Sequence, residues 1–166
     1  MYDSGRGAPR NDAEALNWYS LAAEQGDAEA LKWYHHTAEE GNATAQKNLG
    51  CMYQPGEGVR QNYGDARTWY LLAAEQGNPE AQNNLAGMYY SARGVTQDDA
   101  EALKWYRLSA EQGCAVAQYN LGSIYAEGQG ATQDEAEALK WYRLAADQGV
   151  AKAQDKLKIL LEKLGN

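Results

Sequence analysis

Five Trp-Tyr pairs punctuate the chain: Trp18-Tyr19, Trp33-Tyr34, Trp69-Tyr70, Trp105-Tyr106 and Trp141-Tyr142. The last four follow one another at intervals of 36 residues, whereas the first two are only 15 apart. A fixed period of this length marks a repeat array, in which each unit buries its apolar face only against its neighbours. Such arrays present extended binding surfaces more readily than closed catalytic pockets. The period therefore constrains both the fold and the class of function.

Cut at these marks, the chain aligns with itself without gaps from Gly41 onward. Two segment types alternate. One reads DAEALKWYRLSAEQG (Asp99 to Gly113), and the next reads CAVAQYNLGSIYAEGQGATQD (Cys114 to Asp134). Both carry helical periodicity. In the first of them Ala102, Trp105, Tyr106, Ser109 and Ala110 form an i, i+3, i+4, i+7, i+8 stripe; in the other Ala117, Leu121, Ile124 and Tyr125 do the same. Taken as the second and first helices of a hairpin, the first helix recurs at 42–53, 78–89, 114–125 and 150–161. The second recurs at 12–25, 27–40, 64–76, 99–112 and 135–148. Pro79, just after Asn78, suits the first helical position behind an N-cap.

Glycines set the turns. Gly26, Gly41, Gly77, Gly113 and Gly149 each follow a second helix, where a left-handed residue ends it. The longer connection carries Gly56-Glu57-Gly58, Ala92-Arg93-Gly94 or Gly128-Gln129-Gly130, and its second glycine predicts a positive φ. No strand precedes these loops, so a phosphate-binding turn is not expected. Gly50, Ala86 and Gly122 recur in the first helix, where a small side chain lets a neighbouring helix approach.

The quoted pattern, AEAxxxLGxxYxxGxGV followed by DxxxAxxWYxxAAEQG, resembles the Sel-1-like repeat family, relatives of the tetratricopeptide repeats, and in wording its bacterial members. The resemblance covers nearly the whole chain. It implies an all-α fold, a right-handed αα-hairpin superhelix (solenoid) of about four repeats, and a role as a protein–protein interaction scaffold; it does not imply an activity, and no cofactor is expected. The array is expected to fill residues 1–166, with an irregular part at 1–41, regular repeats at 42–149 and a capping helix at 150–166. The irregular part lacks a first helix between Gly26 and Asp27. The helix at 12–25 is expected to fill that vacant place, leaving a strained or mobile N-terminal hairpin or an exchange dimer through the N-terminal helices. Residues Met1 to Asp12 match the tail of a first helix and its loop, so the chain is expected to begin inside a repeat. In the capping helix Lys156 and Lys158 replace the usual Asn and small residue, which suits a solvated outer face.

Positions that differ between repeats are not demanded by the shared packing. In the first helix they are Thr44/Glu80/Val116/Lys152, Lys47/Asn83/Tyr119/Asp155, Cys51/Gly87/Ser123/Ile159 and Gln54/Tyr90/Ala126/Glu162. Their i, i+3, i+7, i+10 spacing is one helical face. Beside it runs an unvarying polar ladder, Asn48, Asn84 and Asn120. In related superhelices the first helices line the concave side. The expected partner-binding groove is therefore bordered by Asn48, Asn84, Asn120, Lys47, Asn83, Tyr119, Tyr90 and Glu80. The ladder Asn residues suit two roles, holding an extended peptide backbone or tying neighbouring helices together. Tyr90 and Tyr119 read either as aromatic anchors or as ordinary surface tyrosines.

Composition narrows the partners. The net charge is −8 with no Lys/Arg cluster, which argues against nucleic acid and against an anionic membrane surface. No apolar stretch reaches the ~20 residues of a spanning helix, and MYDSGRGAPRND has no apolar signal core. Cys51 and Cys114 lie at different repeat positions and are expected to be reduced thiols. His35 and His36 are adjacent, so they point to different faces, and no metal site is expected. The acidic runs at Asp98-Asp99 and Asp134-Glu135 stand at helix starts, where carboxylates meet free N–H groups. No nucleophile–base motif occurs. The reading is a scaffold or adaptor that binds a protein or peptide without catalysis. An inhibitor or immunity-type protein for a cognate bacterial enzyme is the alternative. A β-lactam-binding enzyme, as linked to cysteine-rich relatives, is disfavoured because the paired cysteines are missing.

Overall fold

Side-chain caps start the helices where the polar residues recur. The computed structural model describes residues 12–164. Among these the elements are α1 (Asp12–Glu24), α2 (Ala28–Glu39), α3 (Ala43–Tyr53), α4 (Tyr63–Glu75), α5 (Pro79–Tyr90), α6 (Asp99–Glu111), α7 (Ala115–Glu127), α8 (Glu135–Asp147) and α9 (Ala151–Leu164), with no strand. Asp27, Asn42 and Asn78 each accept from the backbone N–H three residues on, at 2.8–2.9 Å. Asn62, Asp98 and Asp134 accept from two N–H groups each. Such caps satisfy donors that the helix itself leaves open. The acidic runs are thus accounted for by Asp98 and Asp134 as caps.

Each helix packs on the next in the chain, which is the arrangement of an αα-hairpin solenoid. The turn from a second to a first helix is closed by a left-handed glycine, with φ of +85 to +95° at Gly26, Gly41, Gly77, Gly113 and Gly149. The longer loop needs its second glycine for a different reason as well. A Cβ at Gly58 would stand 2.0 Å from the Ala23 carbonyl oxygen, and one at Gly94 2.4 Å from the Tyr63 Cβ. These loops press on the backbone of an earlier helix, so positive φ and close approach act together.

Within a hairpin the small residue of the first helix meets the tyrosine of the second. A Cβ at Gly50 would lie 2.5 Å from the Tyr70 ring, and one at Gly122 2.7 Å from the Tyr142 ring. Tyr34, Tyr70, Tyr106 and Tyr142 are all buried. Glutamines stitch the repeats. Buried Gln46, Gln82 and Gln118 donate through Nε2 to the carbonyls of Ala38, Ala74 and Ala110 at the end of the preceding second helix. Their Oε1 atoms accept from Gln76, Gln112 and Gln148 at 2.7–2.8 Å. A buried amide bonded on both sides avoids the desolvation cost of an orphaned polar group.

The Trp residues are not equivalent. Trp105 and Trp141 are buried, Trp33 and Trp69 half-buried, and Trp18 is 72% exposed. α1 packs on α2 and also touches α3. Tyr34 donates to the Leu16 carbonyl at 3.0 Å, and Tyr19 stacks on Trp33 with ring centroids 4.2 Å apart. The segment connecting α1 to α2 is only residues 25–27, against 54–62 between α3 and α4. Gly58 accordingly packs on Ala23 and Glu24 of α1, whereas Gly94 and Gly130 pack on the starts of α4 and α6, at Tyr63 and Asp99. The expected match of Met1 to Asp12 with a first-helix tail lies mostly outside the described residues. At the other end α9 buries Ala153 and Leu160. Its outer surface is mixed: Lys156 and Lys158 are exposed, but so are Ile159, Leu161 and Leu164. Lys163 pairs with Glu135 of α8.

Candidate functional site

The varying stripe lies along α3, α5 and α7, and its members are tied to each other from repeat to repeat. Lys47 on α3 pairs with Glu80 on α5 at 3.0 Å. Asn120 on α7 donates through Nδ2 to Asn83 Oδ1 on α5 at 3.2 Å, and Asn83 donates in turn to Asn84 Oδ1 at 3.3 Å. Asn84 donates to Cys51 Sγ on α3 at 3.7 Å, and Asn48 to the Tyr34 hydroxyl on α2 at 2.8 Å. Every ladder amide thus reaches back to an earlier repeat. The carbonyl oxygens of Asn48 and Asn120 have no partner among the described residues, which leaves them open to accept an incoming N–H.

The two aromatics occupy different settings. Tyr90 lies edge-on to Tyr106 at 6.4 Å, and its hydroxyl donates to Gln129 Oε1 at 2.6 Å. Tyr119 lies 6.0 Å from the Tyr142 ring. All eight groove residues except Glu80 are half-buried, and Glu80 is exposed. The stripe is therefore neither sealed in the stack nor detached from it. Some of its varying positions do serve packing: Gln54 accepts from the Tyr70 hydroxyl at 2.9 Å, and Ser123 from the Tyr142 hydroxyl at 3.1 Å. Variation there follows what each buried tyrosine meets.

Burial sets the protonation of these phenols. It pushes Tyr106 up to about 12, with a smaller contribution from Tyr90. It raises Tyr90 too, helped by Glu127 and Asp99, and raises Tyr70, where Cys51 adds to the effect. All three stay neutral donors near neutrality. Cys51 and Cys114 are free thiols. Among the described residues no three His, Cys, Asp or Glu side chains gather as a metal site would need.

One feature of the surface escapes a reading of the sequence alone. Asn84 and Cys51 line a pocket of about 400 Å³ together with Gln54, Gln61, Tyr63 and Arg93. Arg93 stands in the middle of Ala92-Arg93-Gly94, at the place where the Gly-x-Gly loops of the other repeats carry Glu57 and Gln129. That difference between repeats is the signal that could have drawn attention to it. Arg93 is the one charged side chain in a pocket otherwise lined by amides, phenols, a thiol and a proline.

The architecture recurs in solved structures. A protective antigen present in uropathogenic Escherichia coli strains, displaying the SLR fold, superposes with a TM-score of 0.84 at 39% identity. The match covers 91% of this chain and 34% of the antigen, so the chain spans about a third of that protein's length. A Sel1 repeat protein from Oxalobacter formigenes matches with a TM-score of 0.71 at 40% identity, over 77% of this chain and 96% of that one. The cysteine-rich protein B of Helicobacter pylori shares the fold, with a TM-score of 0.60 at 18% identity over 92% of this chain and all of that one. No curated protein sequence matches. The Sel1 repeat family model matches residues 1–27, 28–42, 43–78, 79–114 and 115–150, and no helix among the described residues is long and apolar enough to cross a membrane. With the repeats matched end to end and the same solenoid in its bacterial neighbours, the chain belongs to the Sel1 repeat family.

Proposed function

We propose that this protein is a non-catalytic adaptor that binds a protein or peptide along the stripe of α3, α5 and α7, on the concave side of the superhelix. Sel1 repeat proteins typically serve protein–protein interaction, which gives the class. The observation that carries the reading is the row of hydrogen-bonding groups continuous over three successive first helices. It joins Lys47 and Glu80, the Asn83–Asn120 contact, and the unpartnered carbonyl oxygens of Asn48 and Asn120. An extended backbone laid across the row would meet acceptors at two places and phenols at Tyr90 and Tyr119, with little side-chain entropy lost at the aromatics. The ladder amides also hold the stack together, so mutating them mixes folding with binding.

The test uses exposed members of the stripe. Glu80 and Val116 can change charge without disturbing the core. Once a partner is captured and purified, Glu80→Lys and Val116→Arg should each weaken binding roughly tenfold, as loss of one charged or desolvated contact does. Leu108→Arg, on the second-helix surface, should leave it unchanged. The opposite pattern, with Leu108→Arg disrupting and the stripe variants silent, would move the binding surface to the second helices.

A further inference from the structure

One hairpin carries a half-buried guanidinium where the other three carry leucine. Arg67 on α4 stands in the register of Leu31, Leu103 and Leu139. One turn later the exchange is reversed, with Leu71 in the place of His35, Arg107 and Arg143. The basic group has moved one turn toward the start of its helix, about 6 Å along the axis.

The move changes what the group can reach. At the usual place the basic side chain meets the tyrosine near the end of the following first helix. His35 Nε2 and the Tyr53 hydroxyl lie 3.1 Å apart, and Arg107 Nη2 donates to the Tyr125 hydroxyl at 2.5 Å. From its own place Arg67 Nη2 reaches the Tyr89 hydroxyl only at 3.5 Å. Its Nε is shielded from solvent and has no hydrogen-bond partner. Among the described residues the ion pairs within 4.0 Å do not include Arg67. A buried donor left unpaired is costly, more so on a cation.

The same side chain lines a pocket of about 420 Å³ between α4, the end of α5 and the α5–α6 loop, with Tyr89, Thr96, Gln97 and Asp98 around it. Asp98 is the one carboxylate among the lining residues, and its Oδ1 is engaged by the N–H groups of Ala100 and Glu101 at 3.1 and 3.0 Å. Within the pocket the guanidinium is met only by the Tyr89 hydroxyl at 3.5 Å, and no carboxylate or amide oxygen of the lining bonds to it. None of its lining residues belongs to the stripe.

We infer that this pocket binds a carboxylate, which accepts from the Arg67 guanidinium beside the hydroxyls of Tyr89 and Thr96. A planar guanidinium matches a carboxylate through two parallel hydrogen bonds, here from its two Nη groups because Nε is shielded, and partial burial weakens the screening of that pair. The carboxylate could be an acidic side chain or a chain terminus, and the experiment separates the two.

The Arg67 Nε–Hε resonance of labelled protein is followed by NMR during titration with N-acetyl-aspartyl-amide, N-acetyl-alanine and inorganic phosphate. The comparison variant is Arg67→Leu/Leu71→Arg, which restores the arrangement of the other hairpins and keeps the net charge. The resonance should move saturably with at least one carboxylate, and the tighter of the two identifies a side chain or a terminus as the source. The double variant, followed through its backbone amides around Gly94–Asp98, should bind at least about tenfold more weakly and melt no lower than the parent. Three results would overturn the inference: no saturable shift with either carboxylate, phosphate binding tighter than both, or unchanged binding in the double variant. A double variant that melts well below the parent would overturn it too, by making Arg67 a packing residue.

Discussion

The unequal burial of the five tryptophans makes a quantitative forecast. A buried Trp removes about 200 Å² from water, worth about 5 kcal/mol at ~25 cal/mol per Å². Trp105 is 8% exposed, so nearly all of that applies. The Cβ that alanine retains and partial collapse of the cavity bring the expected loss for Trp105→Ala to ~3–5 kcal/mol. Trp18 is 72% exposed, which leaves about a quarter of the area in contact and an expected loss near ~1 kcal/mol. Both residues open the same Trp-Tyr motif, so a reading from the repeat alone would give them equal weight. The assay is urea unfolding followed by far-ultraviolet circular dichroism and by tryptophan fluorescence. Coincident transitions license a single free energy, a check that repeat arrays require. Equal losses for the two variants, or a loss under about 1 kcal/mol for Trp105→Ala, would refute the argument from burial.

Two further outcomes follow from the same geometry. Gly26→Ala and Gly58→Ala both force a side chain to positive φ, but a Cβ at Gly26 meets nothing within 4 Å while one at Gly58 strikes a carbonyl oxygen. Gly26→Ala should cost about 1–2 kcal/mol and Gly58→Ala clearly more, and equal melting points would show that the loop can move away. Stability should also fall in alkali. The folded state holds the Tyr106 proton more tightly than the unfolded chain, so this contribution is complete below the ordinary value of 10.0 and is lost between about 10 and about 12. A pH series of melts should show Tyr106→Phe losing less stability than the parent across that window; parallel curves would mean that burial does not govern this phenol.

Much of the fold is legible in the primary structure because its causes are local. The periodicity of Ala102, Trp105, Tyr106 and Ala110 requires a helix with one buried face. Gly113 stands where only a left-handed residue closes the turn, and Asp98 supplies a cap within its own helix. The candidate stripe is legible only as a face. Spacing groups Lys47 with Cys51 and Gln54, but it does not say that Gln54 is taken by Tyr70 while Lys47 reaches Glu80. The glutamine stitch is hidden for the same reason: Gln46 and Gln76 lie 30 residues apart and read singly as surface polar groups.

What the sequence determined by itself is the unit: a helix pair, its caps, its turns and the side that must be covered. All of these follow from backbone preferences and apolar spacing within a few residues. What only the tertiary structure decided is how each unit uses the atoms it shares with its neighbours. Asn48, Asn84 and Asn120 occupy one register, yet they donate to a tyrosine hydroxyl, a thiol and another asparagine. Trp18 repeats the motif of Trp105 and stands in water, and Arg67 exchanges places with Leu71 and ends beside a pocket. Hydrogen bonds and burial depend on what lies within a few ångströms across the interface. That neighbour is supplied by residues ~15–40 positions away, beyond the reach of a helical period.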